Sequence, residues 1–204
     1  MGIMVTTTRR PTPRIRSFCK ELAAALPNAI KVNRGKMNIE AVAIRAYELG
    51  LDHVIIVGAR KGGNPGHMKF MKVEEDTYYF LPLAIVMGGV KLLREFPEGI
   101  KPHKVSSAMI VTEDHQPDFV HIFTEALAEV LDLPSCSVPK LHDLRGSCDS
   151  LIYARKARYK YLIILNFLDS RSFKPIGPEL RIEKFVYKGL KYEVQKREEV
   201  QTQL

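Results

Sequence analysis

Apolar residues recur along the first third of the chain in two helical stripes separated by short apolar runs. Ile15, Phe18, Cys19, Leu22 and Leu26 share one face of a helix and leave Arg14, Arg16, Lys20 and Glu21 outside it. Thr12 is positioned to cap this helix, Pro13 suits its first turn, and Pro27-Asn28 stops it. Asn38 caps a second helix with Ile39, Val42, Ala43, Ala46 and Leu49 on its inner face and Gly50 as its left-handed end. Strands are predicted from Met4 to Thr8, from Ala29 to Val32 and from His53 to Gly58, the last an apolar run of the kind buried on both faces. The segment Arg60 to Gly66 combines three glycines with Asn64-Pro65 and reads as a loop. Two more strands follow, His67 to Val73 and Thr77 to Val86, and Gly88-Gly89 marks a bend or bulge.

The second half of the pattern echoes the first. Ala108-Met-Ile-Val-Thr112 repeats Ile3-Met-Val-Thr6, and a shift of 105 residues lays Ile15, Phe18, Leu22, Ala23 and Leu26 on Val120, Phe123, Leu127, Ala128 and Leu131. Arg34-Gly35 recurs as Arg145-Gly146, and a helix is predicted from Asp149 to Arg158. Val54-Ile-Ile-Val57 then matches Leu162-Ile-Ile-Leu165, and Met68-Lys-Phe70 matches the strand from Leu180 to Phe185. The order of elements predicts an α/β fold built by internal duplication of a β-α-β-α-β-β module. One half covers residues 1–96 and the other 105–195, with a linker at 97–104 that contains Pro97, Gly99 and Pro102.

Charge sharpens this picture. The 204 residues carry 31 Lys plus Arg against 23 Asp plus Glu, a net charge of +8. Residues 1–36 hold eight of the cations and one acid, Glu21, so +7 of the excess lies there. A field this concentrated attracts polyanions through counterion release, and RNA or DNA is the usual partner. Arg60, Lys61, Gly62, Gly63 and Asn64 add a loop whose glycines let backbone N–H groups approach phosphate oxygens. Arg155, Lys156, Arg158 and Lys160 form a second basic cluster, interleaved with Tyr153, Tyr159 and Tyr161; these tyrosines read as packing residues before base-stacking ones.

The patterns of catalytic chemistry are missing. Gly58 and Gly63 have phosphate-loop spacing but precede Asn64-Pro65 in place of Lys and Ser or Thr, and no dinucleotide-binding glycine motif follows the first strand. Six histidines and three cysteines form no zinc-ligand spacing, so no metal, cofactor or small-molecule substrate is expected. Glu74-Glu75-Asp76 reads as a solvated turn. No apolar run is long enough to span a bilayer, and the scattered Cys19, Cys136 and Cys148 fit a reducing cytoplasm.

Four segments in order carry a resemblance: Thr6 to Phe18, Leu26-Pro-Asn28, Arg34-Gly35-Lys36-Met37, and Val54 to Gly66. Together they resemble the Brix domain family of ribosome biogenesis factors over nearly the whole chain. The resemblance implies a duplicated α/β fold whose halves look like anticodon-binding domains. It also implies binding to ribosomal RNA or its precursors during rRNA processing and subunit assembly, without enzymatic activity. The chain looks like the minimal archaeal version, so nucleolar location is not carried over. On this basis the expected phosphate contacts are Arg9, Arg10, Arg14, Arg16, Arg34, Lys36, Arg60 and Lys61, with Gly62, Gly63 and Asn64 supplying backbone. One alternative is a scaffold that docks other assembly proteins and leaves RNA to them; another is an RNA-processing enzyme whose acids converge from distant segments.

Overall fold

Alternate residues of the first strand serve two different cores. In the computed structural model, which describes residues 2–193, Ile3 and Val5 of β1 (Ile3–Thr7) face a large apolar cluster while Met4 faces a smaller one on the opposite side. The chain then crosses the first face as α1 (Pro13–Ala24), forms β2 (Ala29–Lys31), and crosses the second face as α2 (Ile39–Glu48) to reach β3 (His53–Ala59). Parallel β2 and β3 flank β1 on either side. Thr12 and Asn38 cap the two helices as their side chains predict, accepting from the amides of Ile15 and Ala41. Ile15, Phe18, Cys19 and Leu22 enter the large core, and Val42, Ala43 and Ala46 close the small one; Leu49 is more exposed than its position in the stripe implied.

Antiparallel β4 (Pro65–Val73) and β5 (Tyr78–Lys91) continue the sheet beyond β3. β4 takes in Pro65 and Gly66, assigned above to the loop, and β5 runs past Val86 through a register shift at Gly88, the bulge that the glycine pair foretold. After a 3-10 turn at Leu93–Glu95 the chain enters β6 (Ala108–Glu113), α3 (Asp118–Leu131), β7 (Ser135–Val138), β8 (Ser150–Lys156), β9 (Ile163–Asp169), β10 (Glu179–Tyr187) and β11 (Leu190–Glu193). All eleven strands join one sheet, in the order β2-β1-β3-β4-β5-β10-β9-β8-β6-β7 with β11 beside β10. Read inward from either edge, this order is the same, and the antiparallel pair β5 and β10 stitches the sides together. α1 and α3 lie on one face, and residues from both enter the large core.

The second half departs from its expected form. The segment expected to be a helix from Asp149 to Arg158 is strand β8, because Leu151 is buried toward one face while Ile152 and Ala154 are buried toward the other, which a strand between β6 and β9 permits. Only a 3-10 turn at Leu141–Leu144 stands where α2 stands in the first half. The equivalences past α3 therefore move by one strand. By topology β8 answers to β3, β9 to β4, and β10 to β5, so Leu162-Ile-Ile-Leu165 is not the counterpart of Val54-Ile-Ile-Val57, nor is the β10 segment that of Met68-Lys-Phe70. Residues 194–195 of the expected second half lie outside the described residues.

Candidate nucleic-acid interface

Three segments meet at the carboxyl ends of β1 and β3. The first is the turn from Thr8 to Thr12, tied to β3 by the Thr8 amide, which donates to the Val57 carbonyl at 2.8 Å. The second is the glycine loop between β3 and β4, closed by the Arg60 amide on the Asn64 carbonyl at 2.8 Å. Gly62 and Gly63 sit at φ +90° and +79°, where a side chain is strained, and a Cβ on Gly63 would come within 2.7 Å of the Thr12 methyl. The Thr12 hydroxyl donates to the Gly63 carbonyl at 2.6 Å, so the loop is pinned to the amino end of α1. The third segment is the turn after β2, from which Arg34 reaches back to β1.

This crevice lies where α1 leaves one face of the sheet and α2 the other, the switch point at which open α/β sheets present free backbone groups. The first turn of α1 contains no acid, so the positive end of its dipole is left uncompensated. Arg34 is 7% exposed and donates to the carbonyls of Met37 at 2.8 Å and Thr7 at 3.4 Å. No carboxylate pairs with it among the described residues. Burial, and then the nearby charge of Arg9, pull its pKa below the usual guanidinium value. An anion held here would relieve both effects.

The expected contact residues divide into two groups. Arg9, Arg10, Arg16, Lys36 and Lys61 are exposed around the crevice, and Gly62, Gly63 and Asn64 form its rim. Arg14 and Arg60 are engaged within the fold. The two terminal nitrogens of the Arg14 guanidinium donate to Glu95, at 2.6 and 3.0 Å, and one also donates to the Val90 carbonyl, which fastens α1 to the end of β5. Arg60 donates to the Gly88 carbonyl at the bulge and lies 3.9 Å from Glu183 of β10. We expect Arg14→Gln to leave affinity for a nucleic acid within about twofold, because it removes no counterion contact. It should lower stability by under about 1 kcal/mol, since the pair is a third exposed. Filter binding and urea unfolding read the two quantities.

The matching end of the second half carries the opposite charge and satisfies itself. Glu113 accepts from the Leu141 amide at 3.1 Å and the Tyr153 hydroxyl at 2.6 Å, and Asp114 accepts from Ser137. Tyr153 packs half-buried against the small core of the second half, and burial and that bond push its phenol well above the ordinary pKa. Tyr159 is different: it is 93% exposed, in the basic β8–β9 turn. Among the described residues no group of three or more His, Cys, Asp or Glu is placed to hold a metal ion, and no helix is long and apolar enough to cross a membrane.

Comparison with known proteins adds a second line of observation. No family model matches the chain. A probable Brix domain-containing ribosomal biogenesis protein of Aeropyrum pernix is 41% identical over 183 residues, covering 88% of this chain and 94% of its own length. Proteins of the same description from Methanopyrus kandleri and Pyrococcus furiosus are 35% and 30% identical, over 86% and 89% of this chain and 90% and 83% of their own. The crystal structure of a probable ribosomal biogenesis protein from Aeropyrum pernix K1 superposes with a TM-score of 0.74 at 27% identity, covering 89% of this chain and 94% of that one. Mil, an archaeal Imp4-like protein, shares the fold at a TM-score of 0.60 and 22% identity, over 90% of this chain and 99% of its own.

Proposed function

The chain belongs to the Brix domain-containing ribosomal biogenesis proteins, and from that premise we propose that it binds ribosomal RNA or its precursor during rRNA processing and subunit assembly. It acts without catalysis, in the cytoplasm, by neutralising phosphate charge where the RNA backbone would otherwise repel itself. The observation that carries this reading is the crevice at the ends of β1 and β3, where Arg34, buried and without an acid partner among the described residues, accompanies exposed Arg9, Arg10, Arg16, Lys36 and Lys61. Phosphate contacts of this kind position an RNA and leave its sequence largely unread. The inward-matching strand order supports an internal duplication, and the two halves differ in charge, with a basic crevice in the first and an acidic, self-satisfied end in the second.

A salt titration of the purified chain on ribosomal RNA tests the reading. The logarithm of the binding constant should fall steeply with the logarithm of salt concentration, by about 0.7 for each phosphate contacted on single-stranded RNA. Binding that is weak and indifferent to salt would reject it.

A further inference from the structure

The outer side of α2 carries large apolar side chains that nothing among the described residues covers. Ile44 is 54% exposed and Tyr47 50%, on neighbouring turns of the helix. Beside them lies the turn between β4 and β5. Tyr78 stands opposite Val73 and Phe80 opposite Met71 in the ladder, so both aromatic rings belong to the face on which Met71 and Val73 pack under α2. Tyr78, 37% exposed, extends that apolar face past the edge of the helix, while Phe80, 49% exposed, lies in a neighbouring groove with the Lys69 ammonium 5.7 Å from its ring centre. Contiguous exposure of this extent marks an interaction surface on a soluble protein. Between helix and turn is an open groove with an accessible volume of about 330 Å³.

The rim of the groove decides what fits it. Glu40, Glu74, Glu75 and Asp76 line it together with apolar and neutral residues, and among the described residues no Lys or Arg does, on a chain of net charge +8. None of these four acids enters an ion pair among the described residues. Such a rim repels phosphate and attracts cations, and the aromatic floor adds a favourable site for Lys or Arg over a ring. We propose that the groove between α2 and the β4–β5 turn docks a Lys- and Arg-rich protein segment that seats one apolar side chain against Ile44, Tyr47 and Tyr78. Proteins that bind the same RNA carry basic arms of this chemistry. The charge and exposure of this groove carry the docking of a basic segment independently of the crevice, while the choice of ribosomal proteins as its source rests on the proposed function.

The test uses the full chain with a benzophenone amino acid in place of Tyr47, irradiated with the proteins salt-extracted from Aeropyrum pernix ribosomal subunits. Mass spectrometry of the adducts should identify peptides with clustered Lys and Arg around an apolar residue. Ile44→Ser should cut their yield by about thirtyfold, as loss of a buried anchor does. Glu74→Gln, Glu75→Gln and Asp76→Asn together should cut it several-fold and remove its dependence on salt. All four substitutions are at the surface, so circular dichroism and RNA affinity should match the parent, which separates this groove from the crevice. Adducts with RNA, with a second copy of the chain, with the chain's own residues, or with peptides lacking basic clusters would overturn the proposal, as would the absence of adducts.

Discussion

Replacing Arg9, Arg10, Lys36 and Lys61 together by Ala is expected to lower affinity for ribosomal RNA by two to three orders of magnitude near ~0.1 M salt. The size follows from counterion release: a contact that contributes about 0.7 to the salt exponent is worth about 1 kcal/mol at that concentration, and four such contacts act additively when they touch separate phosphates. All four side chains are exposed, and none has a hydrogen-bond or ion-pair partner among the described residues. Their loss therefore changes charge and leaves packing alone. Arg10 already occupies the left-handed region at φ +57°, a strain that Ala inherits unchanged. The salt exponent of the variant should drop by about three. A variant that kept both the parent affinity and the parent exponent would move the interface elsewhere.

The second large effect is on stability. Phe123 of α3 is fully buried, its ring 5.1 Å from that of Phe185 on β10, edge to face; Phe185 in turn stacks on Tyr192 of β11 at 4.5 Å. Phe123→Ala removes the fully buried ring at the α3 end of this chain of aromatics and should cost about 3–5 kcal/mol. For a chain of this length the midpoint of thermal unfolding falls by about 10 °C. Because α1 and α3 pack into one apolar cluster on the same face of a continuous sheet, the loss should be felt in both halves at once. Cys19 of α1 reports on the first half: it is fully buried, and burial pushes its thiol up to about 12, so it reacts only when the structure opens. Phe123→Ala should speed its alkylation about a hundredfold or more if opening is global, as ~3 kcal/mol of lost stability implies. Unchanged Cys19 protection would mean that the halves unfold independently.

The first half was largely legible in the sequence because each of its elements signals itself locally. Thr12 and Asn38 cap helices that begin where they sit, the apolar stripes of α1 and α2 have helical spacing, and β3 is an uninterrupted apolar run. The second half was not, for two physical reasons. β7 is a short, half-exposed edge strand with no apolar run to announce it, and no second helix occupies the position of α2, so the alignment of the halves slips beyond α3. The repeat places a helix from Asp149 to Arg158 because the segment follows Arg145-Gly146 as α2 follows Arg34-Gly35, whereas it is strand β8. The crevice was legible as a set of cations but not as a geometry. Nothing near Arg14 or Arg60 in sequence reveals that Glu95, Gly88 and Glu183 hold them, nor that Arg34 is buried with no acid paired to it among the described residues. The exposed Ile44 and Tyr47 are not legible as a surface in the sequence, because helical spacing marks the buried stripe of α2 and says nothing of what its outer face meets.

Ultraviolet crosslinking of the purified full chain to ribosomal RNA, followed by mass spectrometry of the peptide–nucleotide adducts, tests the central claim most directly. The crevice predicts adducts within residues 8–16, 34–37 and 60–64, lost when the four cations are replaced. Adducts confined to the acidic turn after β6 or to the groove beside α2, with these three segments unmarked, would contradict it.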